Sequence, residues 1–259
     1  MIAWATYPYA GTVVLVTGAG SGIGRAIARA FLEQGASVAV LGRTQQTLLD
    51  AVNDFPAERS LALVTDVTSR PAVETAVDAI IGRFGRLDVV VSNAGTSEPS
   101  DIASFEDDAW ERMRGVNLDS LITLVRASAP ALKATRGNLV AISSVSGIRG
   151  DWKQFAYNAT KGAVNALVQS LALDLGEFGV RANVIAPAFT ASRLTQARLD
   201  DPNFSARLLD RVALGRAATP ADIARAVLFI ASPDAGYITG AILPVDGGTT
   251  ASAGTPRPV

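Results

Sequence analysis

The chain has 259 residues, 49% of them hydrophobic, a formal net charge of −1, and neither histidine nor cysteine. That length is enough for one large α/β unit, and the near-zero charge supplies no basic field to hold nucleic acid or an anionic membrane. Without cysteine there is no disulfide or thiolate chemistry, no metal site is expected, and any proton donor near neutrality must be something other than histidine.

Residues 1–9 lack the basic start and apolar core of a leader, and apolar runs such as Ala226–Ala231 stay far short of the roughly 20 residues needed to span a bilayer. A cytoplasmic protein is expected, with residues 1–10 as a short N-terminal extension. No Pro/Ser-rich linker interrupts the chain, so 1–259 is expected to form one domain.

The first strand, at 12–17, is a short β-branched apolar run. It meets the turn Gly18-Ala19-Gly20-Ser21-Gly22-Ile23-Gly24, and apolar positions at helical spacing follow over 22–34. Strand, glycine-rich turn and helix is the order that points free backbone N–H groups at a diphosphate. The second strand, 36–41, runs into Gly42-Arg43 and a helix at 44–54. The third, 60–65, is followed by Asp66-Val67 and a helix at 69–83. The fourth, 87–92, leads into Asn93-Ala94-Gly95, then helices at 106–115 and 118–134 with Asn117 between them. After the fifth strand, 138–143, come Ser144 and a helix at 155–177. The sixth, 181–186, gives way to Pro187, helices at 192–213 and 220–231, and a last strand at 241–245. This alternation predicts a Rossmann-type, doubly wound parallel sheet of about seven strands with helices on both faces. Ligands then bind beyond the carboxyl ends of the strands, where Gly18, Asp66, Asn93, Ser144 and Pro187 all fall.

Within helix 155–177, Tyr157 and Lys161 share one face, because positions i and i+4 bring Cβ atoms to about 5–6 Å. A neighbouring ammonium stabilises phenolate and lowers a pKa that starts near ~10, which makes the tyrosine a usable acid or base.

Thr17-Gly18-x-x-x-Gly22-x-Gly24, Asn93-Ala94-Gly95, Asn117, Ser144, Tyr157-x-x-x-Lys161 and Asp246-Gly247-Gly248 resemble, in order and spacing, the short-chain dehydrogenase/reductase family. Ser144 precedes Tyr157 by the family's usual thirteen residues. The resemblance implies hydride transfer between a nicotinamide cofactor and a secondary alcohol or ketone. Tyr157 is then the general acid or base, and Lys161 lowers its pKa and binds the nicotinamide ribose. Ser144 donates to the substrate oxygen, and Asn117 anchors a water linking Lys161 to solvent. Gly18, Ser21, Gly22, Ile23 and Gly24 would cradle the diphosphate. Asp66 and Val67 would meet the adenine, although Asp66 also reads as a helix cap. Asn93, Ala94 and Gly95 would border the ribose, and Pro187 and Thr190 would lie at the carboxamide. The family commonly has Pro-Gly where this chain has Pro187-Ala188.

Arg43 stands where NAD-binding relatives carry an acid beside the ribose, so NADP(H) is expected over NAD(H). The other reading is an exposed arginine over the adenine that tolerates NAD, and the glycine turn carries Ala19 and Ser21 where many NADP-preferring relatives have a basic residue. A small carbonyl or alcohol substrate would meet walls from 95–98, 145–152 and 188–189, with 192–214 as a lid. Ser146, Trp152 and Phe189 are the candidate contacts, and Arg149 reads as a solvated loop charge. Two alternatives stand beside this. One is a 3-oxoacyl-acyl-carrier (or CoA) thioester reductase, whose relatives carry basic residues where Thr135 and Phe178 stand, with Lys133 and Arg136 close by. The other is a silent nucleotide-sensing protein, which typically loses the tyrosine or the lysine. Relatives pair helices near 106–134 and 155–177, so a homotetramer or homodimer is expected. Residues 251–259 form a tail.

Overall fold

Val13–Thr17 is buried along its whole length, as expected of a strand covered on both faces, and alternate side chains enter opposite cores. The computed structural model describes residues 5–192 and 195–252. Its strands are β1 (Val13–Thr17), β2 (Ser37–Gly42), β3 (Ser60–Val64), β4 (Val89–Ser92), β5 (Asn138–Ile142), β6 (Arg181–Pro187) and β7 (Ile242–Val245). All pair in parallel, in the order β3-β2-β1-β4-β5-β6-β7. Strand order therefore reverses between β1 and β4, where Val14 lies opposite Val38 on one side and Val89 on the other.

The helices are α1 (Gly22–Glu33), α2 (Gln45–Val52), α3 (Arg70–Phe84), α4 (Asp107–Arg114), α5 (Ser120–Thr135), α6 (Phe155–Gly176), α7 (Gln196–Leu199), α8 (Pro202–Leu209) and α9 (Pro220–Ala231). Val14, Val16, Val38, Val40 and Val140 pack against Ile27 and Phe31 of α1, Leu48 of α2 and Val227 of α9. Val13, Leu15, Leu41 and Leu139 pack on the other face against Val77 of α3, Leu124 of α5 and Val168 of α6. Residues 5–10 lie against the first of these layers. Tyr9 meets Phe31 edge-on at 4.8 Å, and its hydroxyl donates to the Leu228 carbonyl. Among the described residues no helix is long and apolar enough to cross a membrane.

Two expected elements come out differently. The helices anticipated at 106–115 and 118–134 are continuous, joined by a π-helical turn over Gly115–Asp119 that turns Asn117 into the interior at 4% exposure. The single helix anticipated at 192–213 is broken into α7 and α8. Pro202 lacks the N–H that continuation requires, and the Asp201 carboxylate accepts from Asn203 N at 2.9 Å to start a new helix. Arg193 and Leu194 of the expected lid, residues 1–4 of the N-terminal extension and residues 253–259 of the tail lie outside the described residues.

Candidate active site

The reversal between β1 and β4 opens a crevice, and the glycine turn lies at its edge. Gly18 has φ +64, a left-handed conformation that a Cβ would strain, and an ideal Cβ there would stand 2.9 Å from Ala94 Cα. Gly24 is held by close approach: a Cβ would come within 2.4 Å of both the Gly18 carbonyl oxygen and Asn93 Nδ2. Ser21 begins α1 in an extended conformation with no side-chain cap, and the first turn of the helix holds no acidic residue. The N–H groups of Gly22, Ile23 and Gly24 are thus left facing the crevice with the positive end of the helix dipole. This cradle fits the diphosphate of a nicotinamide dinucleotide. Asn93 stitches the two strands: its Nδ2 donates to the Thr17 and Gly18 carbonyls at 2.9 and 3.2 Å, while the Thr17 hydroxyl accepts from Asn93 N and Ala94 N.

At the other end of the crevice, Arg43 is exposed just beyond β2, near enough to Asp66 that its charge helps hold that carboxyl below the usual range. The larger cause is local. Asp66 Oδ1 accepts from Thr68 N at 2.9 Å and from Thr68 Oγ1 at 2.7 Å, shaping the turn that precedes Val67 and α3. Asp66 thus shapes the turn with one of its two oxygens and is not the helix cap, since α3 begins after Ser69, whose side chain makes no cap bond.

The chemistry-bearing residues converge past the end of β5. Ser144 lies close enough to Tyr157 for its hydroxyl to lower the phenol pKa, and Ser144 Oγ accepts from Ser146 N at 3.1 Å. Lys161 lies one turn along α6 from the tyrosine and is 4% exposed. Its ammonium donates to the Ile142 carbonyl at 2.9 Å and sits 5.7 Å from the centre of the Tyr157 ring. Burial lowers the lysine pKa to about 8. Tyr157 moves the other way: burial raises its pKa, the Ser144 hydroxyl opposes that, and the Asp151 charge adds to it. The expectation of an ammonium lowering the phenol pKa is therefore corrected here, because Lys161 is engaged by a backbone carbonyl and desolvation of the ring dominates.

Asn117, on the π-helical turn, accepts from Thr96 N at 2.8 Å and donates to Thr96 O and Thr160 Oγ1. Gly95 is where it meets the lysine: a Cβ at that position would be 3.4 Å from both Asn117 Oδ1 and Lys161 Nζ. Ser143 is directed away, its hydroxyl donating to the Lys161 carbonyl.

The proposed substrate contacts are scattered by comparison. Ser146 is buried beside Ser144, whereas Trp152 is 93% exposed and has no packing role in the core. Phe189 stacks at a tilt with Phe204 of α8 at 5.5 Å, and Arg198 of α7 lies over both rings. It also lines a cavity of about 190 Å³ with Val212, Leu214 and Val245. Thr190 is buried after Pro187 at the end of β6, with its hydroxyl donating to the Ala188 carbonyl at 2.9 Å. Among the described residues the exposed Arg149 side chain donates to the neighbouring Ile148 carbonyl, in keeping with a loop charge in solvent.

A family model described as enoyl-(acyl carrier protein) reductase matches residues 18–250. A meso-2,3-butanediol dehydrogenase of Serratia marcescens is 38% identical over 95% of this chain and 97% of its own. The chain belongs to the short-chain dehydrogenase/reductase family. Another relative in that family, a galactitol 2-dehydrogenase (L-tagatose-forming) of Cereibacter sphaeroides, is 38% identical over 93% of this chain and 95% of its own. The solved 3-ketoacyl-(acyl-carrier-protein) reductase of Brucella melitensis, complexed with NADH, superposes with a TM-score of 0.87 at 30% identity, over 93% of this chain and 99% of that one.

For a short-chain dehydrogenase/reductase, the residue that sequence reasoning passed over is Asp151. Its carboxylate accepts from Ser146 Oγ at 3.3 Å and from Trp152 N at 2.8 Å, and its charge reaches Tyr157. The available signal was an acid placed between the serine and the tyrosine; only the fold shows which way it faces.

Proposed function

We propose that this protein interconverts secondary alcohols and ketones with Tyr157 as proton donor and acceptor. The observation that carries this reading is Tyr157 set beside Ser144 and one helical turn from the buried Lys161, at the strand ends bordering the glycine cradle. When bound, the nicotinamide dinucleotide supplies or accepts the hydride. During reduction negative charge grows on the carbonyl oxygen, Ser144 donates a hydrogen bond to it, and the Tyr157 phenol transfers its proton there. Ser144 then stabilises the phenolate, and the Asn117 side of the lysine leads toward Thr96 and solvent for reprotonation. A phenol pKa raised by burial keeps the acid form in place near neutrality, so reduction has its donor ready. Alcohol oxidation needs the phenolate, and its rate rises with pH.

Arg43 beyond β2, with no acid at Gly42, supports NADP(H) over NAD(H), since a planar cation pairs with a 2′-phosphate. The likeness to a solved ketoacyl thioester reductase favours a second reading on 3-oxoacyl thioesters. Against it, Lys133, which would serve an acidic carrier, lies 3.6 Å over the Phe178 ring, and Thr135 Oγ1 donates to the Leu87 carbonyl. Self-association through α4, α5 and α6 into a dimer or tetramer, and a cytoplasmic setting, belong to the same proposal.

The test is Tyr157→Phe, assayed with NADPH and NADH against alkyl ketones and acetoacetyl thioester. The variant is expected to lose about 10²-fold or more in kcat while still binding dinucleotide by protein fluorescence. Near-normal turnover would remove Tyr157 from the chemistry, and a higher kcat/KM with NADH would reverse the cofactor assignment.

A further inference from the structure

The hydrogen-bonding atoms around Tyr157 are sorted by type. On one side two hydroxyls, Tyr157 and Ser144, have protons to give to a single substrate oxygen. On the adjoining side, the loop 145–154 places two acceptor groups next to Ser144, the Ser146 hydroxyl oxygen and the Asp151 carboxylate. Ser146 is 7% exposed; its N–H donates to Ser144 Oγ and its single hydroxyl proton is directed at Asp151 Oδ2, so what remains on Ser146 Oγ is lone pairs. Asp151 accepts one hydrogen bond on each oxygen, from Ser146 Oγ and Trp152 N, and a carboxylate has about four lone-pair positions. Among the described residues it forms no ion pair.

The loop is tied at both ends. Asn158 Nδ2 donates to the Arg149 carbonyl at 2.7 Å, Ser100 N donates to the Lys153 carbonyl at 2.9 Å, and Ser97 Oγ donates to Gln154 Oε1. A carboxylate held this way is positioned before any ligand arrives, which is what makes a contact selective. The hydrogen bonds from Ser146 to Ser144 and to Asp151 tie the carboxylate to the serine beside Tyr157, and its charge acts to raise the phenol pKa.

We propose that Asp151 determines specificity by accepting a hydrogen bond from a hydroxyl on the carbon next to the reacting carbon. The preferred substrates are then vicinal diols or polyols and the hydroxyketones derived from them. This rests on the acid–base reading of Tyr157 and adds the substrate class to it. A hydroxyketone matches both sides of the site, its carbonyl facing the two donors and its hydroxyl facing the carboxylate. A 3-oxoacyl thioester brings a second carbonyl, and two acceptors would meet at Asp151. A plain ketone leaves the carboxylate to water.

The experiment compares kcat/KM for 3-hydroxy-2-butanone, 2-butanone and acetoacetyl thioester in the full-length wild type, Asp151→Asn and Asp151→Ala, each checked for an unchanged Tm. The wild type should prefer the hydroxyketone over 2-butanone by about 10- to 100-fold, the range for a hydrogen bond to a charged group. Asp151→Ala should reduce that preference at least tenfold, while Asp151→Asn, which keeps an acceptor oxygen, should retain part of it. The thioester should improve relative to the hydroxyketone in both variants. In Asp151→Asn the acid limb of alcohol oxidation should also move to lower pH, because the charge that raises the phenol pKa is gone. An equal hydroxyketone-to-ketone ratio in wild type and Asp151→Ala would overturn this inference alone. No turnover of any ketone by the wild type would overturn the Tyr157 reading and this one with it.

Discussion

Lys161 should make the stability of the dinucleotide-free protein depend on pH in a way that a neutral replacement removes. Its pKa is lowered to about 8 by burial, against about 10.4 in an unfolded chain. Below pH 8 both states are protonated, and the folded state bears the cost of a buried ammonium. Between about pH 8 and 10.4 the unfolded lysine keeps its proton and the folded one releases it, so stability rises by about 1.4 kcal/mol per pH unit. The full excursion is about 3 kcal/mol. Lys161→Met has similar length and no charge, and it loses the hydrogen bond to the Ile142 carbonyl at every pH. The wild-type-minus-variant difference in unfolding free energy isolates the titration, because contributions from other groups cancel. Urea unfolding of both proteins at pH 7, 8, 9 and 10, followed by tryptophan fluorescence, should show that difference flat from pH 7 to about 8. From there to pH 10 it should shift toward the wild type by between about 2 and 3 kcal/mol. A difference that stays within about 0.5 kcal/mol over this range would show that the lysine is not desolvated in the folded protein. A shift toward the variant would contradict the sign of the argument.

Gly24→Ala places a methyl group against backbone and the Asn93 amide, so it is expected to cost about 3 kcal/mol and weaken dinucleotide binding, measured by thermal melting and fluorescence titration. Thr219→Ala removes the capping box formed with Asp222 at the start of α9, at about 1 kcal/mol, and should lower Tm by about 2–4 °C with kcat intact. Asp222 itself is held well below the usual carboxylate range, chiefly by Arg216. Its stabilising contribution is therefore present above about pH 4 and lost as the pH falls further, so the Tm deficit of Asp222→Asn should shrink in acid. Sedimentation velocity at micromolar concentration should report a dimer or tetramer; a monomer would refute self-association.

The order of strands and helices, the glycine turn and the spacing of Asn117, Ser144, Tyr157 and Lys161 could be read directly from the chain, because each is a local pattern. Buried parallel strands require unbroken β-branched runs, helices require apolar residues at a period of 3.6, and a backbone cradle for diphosphate requires glycine at set intervals. Local patterns said nothing of how a continuous helix would absorb Gly115–Asp119, since a π-helical turn is favoured only when the interior has use for Asn117. Nor did they show that Lys161 would donate its ammonium to Ile142, that burial would raise the Tyr157 pKa, or that Trp152 would stand in solvent. Desolvation and the direction of a side chain depend on residues distant in sequence. For the same reason Asp151, one acid among several along the chain, became a part of the site only once the loop around it had closed.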